Sequence, residues 1–190
     1  MSDLALNRIR KRIESSTGPI VDVSDIPNEK DVEIARLTRG LAAWVLARLC
    51  GLDDQTAVDA VVDGYDDNGI DAVHVDREAK VIYLIQSKWS RTGKGAPSLD
   101  EVIKFVQGVR LLVNAEWPRF NDKVQAKSAV IDAALDDPDV TLSLVLASSG
   151  SDPLSGPALA TVNDLLAVMN DDDSFETVSY THLRAHETDQ

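Results

Sequence analysis

Cysteine is nearly absent: Cys50 is the only one in 190 residues. Neither an internal disulfide nor a cysteine zinc site is therefore open to the chain, and nothing sets it against a reducing cytoplasm. Long apolar runs are missing too. No stretch approaches the ~20 apolar residues that a membrane helix needs. The start, MSDLALNRIRKRIESS, has no apolar run of ~7 or more behind its basic residues and does not read as a secretory signal. Histidine is scarce: apart from His182 and His186 in the last stretch, His74 stands alone with no imidazole partner, which reads as structural or solvent-exposed. Basic residues number 19 against 32 acidic ones, a net charge of -13, which taken whole argues against a nucleic-acid partner.

What is present is the composition of a soluble globular protein, 44% hydrophobic and 27% charged. The length fits one domain of ordinary size, or one domain and part of another. The charge is unevenly spread. Residues 1–12 carry +3, residues 13–85 carry -9, residues 86–130 carry +4 and residues 131–190 carry -11. One long basic stretch thus lies inside an acidic protein, and its plain alternative is decoration of two amphipathic helices.

Pattern and punctuation give the organisation. A short basic helix over residues 4–14 and a loop to residue 30 precede a helix over 31–49, where Val32, Ala35, Leu41, Trp44, Val45 and Leu49 recur at helical spacing before Gly51. Strands over 70–75 and 81–88, joined by a polar turn, form an antiparallel hairpin. The second opens with VIYLI, an apolar run suited to a central strand covered on both faces. Helices over 98–114 and 120–135, a strand over 140–147 and a helix over 157–169 complete an α/β fold around a mixed sheet. The domain spans 31–173. Residues 174–190 break the character of the chain, and SYTHLRAHET resembles a translated sequencing adapter; His182 and His186 are excluded from the chemistry, and the natural protein is expected to continue beyond about residue 178.

The hairpin concentrates chemistry at one end. A turn centred near Glu78 places Asp71 opposite Ile85 or Gln86, and Gln86 and Lys88 share a strand face while Ser87 points away. Hydrolysis of a phosphodiester needs a hard divalent cation held by oxygen ligands. Asp71, the Gln86 side-chain carbonyl and the Ser87 backbone carbonyl could supply them, with Lys88 to position or deprotonate water and offset charge on the phosphate. Asp63, Asp66, Asn68 and Gly69 suggest a calcium loop, but with Gly69 in sixth place the first and twelfth fall on Gly64 and Val75, so the EF-hand ligands are missing.

The strings DGYDDNGIDAV and IYLIQSKW resemble the PD-(D/E)xK nuclease superfamily in its D…QxK form, found in Mrr-like restriction endonucleases. Over about residues 31–146 the chain also resembles the amino-terminal nuclease-like domain of abortive phage infection (AIPR) proteins. The resemblance implies a restriction-endonuclease-like αβββαβ core, Asp71, Gln86 and Lys88 as catalytic residues, and Mg²⁺ or Mn²⁺ as cofactor. It would make Glu33 the additional helix glutamate, although Glu33 lies at the very start of its helix; Gln86 replaces the commoner acid, removing one negative charge. The implied partners are DNA, or RNA in its place, a C-terminal part of the same protein and a second copy of the chain, in the cytoplasm and in defence against phage. Arg91, Lys94, Lys104 and Arg110 follow the site and are placed to meet phosphates. A second reading keeps the fold as a nucleic-acid or protein-binding module without effective metal binding.

Overall fold

The computed structural model describes residues 3–171 and 177–184. Two helices lead, α1 (Asp3–Ser15) and α2 (Glu29–Cys50), followed by the short α3 (Asp54–Asp59) and the hairpin β1 (Ala72–Asp76) and β2 (Val81–Lys88). Then come α4 (Leu99–Val113), a 3-10 turn (Trp117–Arg119), α5 (Asp122–Gln125), α6 (Ser128–Leu135), β3 (Thr141–Ser148), α7 (Gly156–Asp171) and β4 (Thr177–Arg184). The strands form one sheet in the order β1-β2-β3-β4, antiparallel in the first pair and parallel in the other two. This is a mixed α/β fold with a four-stranded sheet flanked by helices. Among the described residues no helix is long and apolar enough to cross a membrane.

Strand alternation sorts the apolar residues of β2 and β3 between two cores. Ile82 and Leu84, with Leu142, Leu144 and Leu146, pack among residues of α4, α6 and α7. Ile85, with Val145 and Ala147, packs among residues of α1 and α2. The VIYLI run is continuous because both faces are covered. Ile9 and Ile13 of α1 are fully buried in the second core, so this helix belongs to the body of the domain.

Helix ends follow local chemistry. The Asn28 side chain accepts from the Lys30 amide at the start of α2, and Gly51 closes that helix in the left-handed region at φ 67°. Ser98 and Glu101 form a reciprocal capping box on α4. The expected helix over 120–135 is capped at its start by Asn121, which accepts from the Val124 amide, and is broken in two at Ala126–Lys127, where the Lys127 amide bonds to the Val124 carbonyl three residues back before α6 begins. Where the nuclease-like order implies three strands before α4, two form, and a single antiparallel bridge joins Val61 to Ala72. Of the tail set aside on sequence, residues 174–176 and 185–190, His186 among them, and the His182 side chain lie outside the described residues, whereas Thr177–Arg184 pairs with β3 as β4.

Candidate metal centre

The hairpin register pairs Ala72 with Ile85, and the Asp71 amide donates to the Ile85 carbonyl at 2.7 Å. Asp71 therefore stands at the end of β1 beside Gln86, as the turn arithmetic required. Its Oδ2 accepts from the Ser87 amide at 2.6 Å and the Ser87 hydroxyl at 2.9 Å. The same hydroxyl lies 3.0 Å from the Thr38 carbonyl of α2 and shares its one proton between the two acceptors.

The loop before β1 brings two further carboxylates to Asp71. Asp66, Asn68 and Gly69 all adopt positive φ, which Asp and Asn tolerate and Gly adopts freely. The coil so formed presses on the α4 backbone. A Cβ on Gly69 would meet the Phe105 amide nitrogen at 2.8 Å, and one on Gly108 would meet the Asn68 carbonyl oxygen at 2.3 Å. Asp67 is buried, accepting from the Gly64 and Gly69 amides at 3.1 and 2.7 Å and from Lys104 Nζ at 2.8 Å. Asp63 accepts from Arg39 Nε at 2.6 Å. One oxygen from each of Asp63, Asp67 and Asp71 lies within 4.8 Å of the others.

Arg39 is 1% exposed, and all of its N–H groups find acceptors. They are the Asp63 carboxylate and carbonyl, both oxygens of the Asp25 carboxylate, and the Asp22 carbonyl. Its bonds to Asp25 hold that carboxyl down at about 2. Asp63 goes the other way: burial, with the nearby Asp67 charge, outweighs Arg39 and lifts its carboxyl above the ordinary value. Burial pushes Asp71 well above it, the charges of Asp63 and Asp67 add to the rise, and the Ser87 bonds oppose it. With Asp25, Asp63, Asp67 and Asp71 ionised, Arg39 and Lys104 pair with them and Lys123 donates to the Asp63 carbonyl at 2.9 Å. The carboxylates still outnumber the cations around them, an excess that a bound cation or protonation of Asp71 would offset.

Gln86 supplies an independent sign. It is 8% exposed and donates through Nε2 to the Glu101 carbonyl at 3.1 Å, but its Oε1 is buried with no hydrogen-bond partner. An orphan acceptor of this kind costs about 1–3 kcal/mol, and a cation would relieve it.

The expected residues are only partly gathered. Asp71, Ser87 and Gln86 adjoin one another at the sheet end, Ser87 engaging the cluster through its amide and hydroxyl. Lys88, half-exposed, is ion-paired with Glu101 on the α4 side. Glu33 is exposed and ion-paired with Arg10 of α1, so its carboxylate serves another contact. Lys104 is spent on Asp67. Arg110 lines a cavity with Asn114, Asp132 and Leu165 near the opposite end of α4. Arg91 and Lys94 are exposed in the loop after β2. Sequence reasoning missed Asp63 and Asp67 as partners of Asp71, and Arg39 and Glu101 as the groups that hold the site. The Asp-x3-Asp-x3-Asp spacing and the Ser98-x-x-Glu101 pattern were the available signals.

Comparison with known proteins returns no matching family model, no matching curated protein and no matching solved structure. The site's own chemistry carries the functional reading.

Proposed function

We propose that this domain is a divalent-cation-dependent phosphodiester hydrolase, a nuclease acting on DNA or, in its place, RNA. The observation that carries the reading is the convergence of Asp63, Asp67 and Asp71 at the end of the hairpin, where the Asp71 amide bonds to Ile85 and the next residue, Gln86, has a buried, unpartnered Oε1. An all-oxygen donor set with excess negative charge fits Mg²⁺ or Mn²⁺. The three aspartates would hold the ion and Gln86 would add a neutral ligand. A bound cation there supplies Lewis acidity and a water acidified for attack.

The chain's own residues do the rest. Ser87 fixes the Asp71 carboxylate from two donors, and Arg39 fixes Asp63. Lys88, held by Glu101 at the open end of β2, offers its ammonium to a phosphate oxygen as negative charge builds there. The likeness of DGYDDNGIDAV and IYLIQSKW to AIPR proteins adds a role in phage defence.

Incubation with plasmid, single-stranded DNA and RNA, in Mg²⁺, Mn²⁺ or chelator, tests the proposal. Cation-dependent cleavage that disappears in Asp71→Ala and Lys88→Ala is expected; cleavage unchanged in both variants refutes it. A binding module without catalysis is favoured by one observation, that the Ser87 amide and hydroxyl both engage the same Asp71 oxygen, Oδ2. That reading predicts nucleic-acid or protein binding with no cleavage.

A further inference from the structure

Basic residues far apart in sequence meet at one edge of the domain. α1 buries Ile9 and Ile13 and leaves Arg8 and Lys11 exposed. Its Asn7 and Arg10 line a cavity with Glu33 and Leu37 of α2 and with Trp89 and Arg91, which follow β2 directly. Arg91 is three residues beyond Lys88, so at most about 11 Å of chain separates them. Arg10 is ion-paired through Nε with Glu14 of its own helix at 2.7 Å and, across the cavity, through its terminal nitrogen with Glu33.

We propose that α1 and the loop after β2 form a clamp for the sugar-phosphate backbone of a nucleic acid, running from Lys88 past Arg91 to Arg8 and Lys11. The Glu33 carboxylate holds the cavity-side anion position at Arg10 until a phosphate replaces it, while Glu14 keeps the Nε side. The substrate class rests on the hydrolase reading, but the charge complementarity is independent of it: this edge is basic in a chain whose net charge is -13. Contacts of this type go to phosphates and carry no base preference. Glu33 thereby acquires a role as a competitor for phosphate, distinct from cation binding. Lys104, engaged by Asp67, and Arg110, near the opposite end of α4, fall outside the clamp.

The test is binding without cleavage. Fluorescence anisotropy with labelled single-stranded DNA, duplex DNA and single-stranded RNA, in chelator and across about 50 to 200 mM salt, reads affinity and its salt slope. The wild type should bind at least one of the three, and the arms tell DNA from RNA. Arg8→Ala/Lys11→Ala should lower the slope by about 2 and Arg91→Ala by about 1, near one phosphate contact per charge. Glu33→Gln should tighten binding several-fold, Arg110→Ala should leave it unchanged, and unfolding midpoints should match the wild type throughout. Wild-type slopes in the Arg8/Lys11 and Arg91 variants, or weaker binding in Glu33→Gln, would overturn the clamp. A protein that binds Mn²⁺ yet ignores all three oligonucleotides refutes the clamp alone; one that binds oligonucleotides with the predicted slopes but takes up no cation refutes the hydrolase reading alone.

Discussion

Replacing Arg39 tests whether the acidic cluster is held by a designed scaffold or is an accident of a crowded loop. The guanidinium is 1% exposed and satisfies all its donors on Asp22, Asp25 and Asp63. Arg39→Met keeps much of the side-chain volume but strands the carboxylates. Removing one partner of a buried ion pair costs about 3–5 kcal/mol. The Asp25 side chain is 40% exposed and can turn to water, whereas Asp63 at 23% has less access, so the lower end, about 3 kcal/mol, is expected. That is a large share of the 5–15 kcal/mol a domain commands, and should lower the unfolding midpoint by roughly 6–12 °C at this chain length. Arg39→Lys should recover only part of the loss, since an ammonium has three donors and no planar fork. Thermal and urea unfolding followed by circular dichroism would measure both. A change within about 0.5 kcal/mol in Arg39→Met, the level of an ordinary surface substitution, would refute the reasoning.

Other outcomes follow from the same geometry. Gly108→Ala puts a methyl group 2.3 Å from the Asn68 carbonyl oxygen; urea unfolding should show a loss of about 1–3 kcal/mol, and Mn²⁺ affinity should fall as the aspartate loop shifts. Ser98→Ala removes the cap of α4 and should cost about 1 kcal/mol, read as a lower urea midpoint. In chelator, the raised Asp71 carboxyl contributes stability that is complete below its unfolded value of about 3.9 and lost as pH rises through the folded value. Urea midpoints compared at acidic and mildly alkaline pH should therefore fall more with pH in the wild type than in Asp71→Asn; equal falls would contradict the assignment. Asp25, held at about 2 by Arg39, works in the opposite sense, its contribution being lost only as pH drops through that value.

The hairpin and its register were legible because the signal is local and strong. An unbroken VIYLI run bounded by a polar turn admits few alternatives, and the pairing of Ala72 with Ile85 follows from counting. The break between α5 and α6 was not legible, since Ala126 and Lys127 are ordinary helix formers and no side chain caps α6. β4 was lost because Thr177–Arg184 was set aside with the tail. Asp71 was found in the sequence and its partners were not. Their approach depends on positive φ at Asp66, Asn68 and Gly69 and on close contact with α4, neither of which spacing reveals. Glu101 was hidden for a similar reason: it meets Lys88 only because the capping box sets the first turn of α4 against the end of β2.

The central claim is that Asp63, Asp67 and Asp71 form a cation site. Calorimetric titration of the wild type and of Asp71→Asn with Mn²⁺ and Mg²⁺ at mildly alkaline pH, paired with unfolding midpoints in saturating cation and in chelator, tests it most directly. One ion per chain is predicted for the wild type, with stabilisation near 2.7 kcal/mol at about 100 times the dissociation constant and little or no effect in Asp71→Asn. Absence of binding heat together with identical midpoints in cation and chelator would contradict the account.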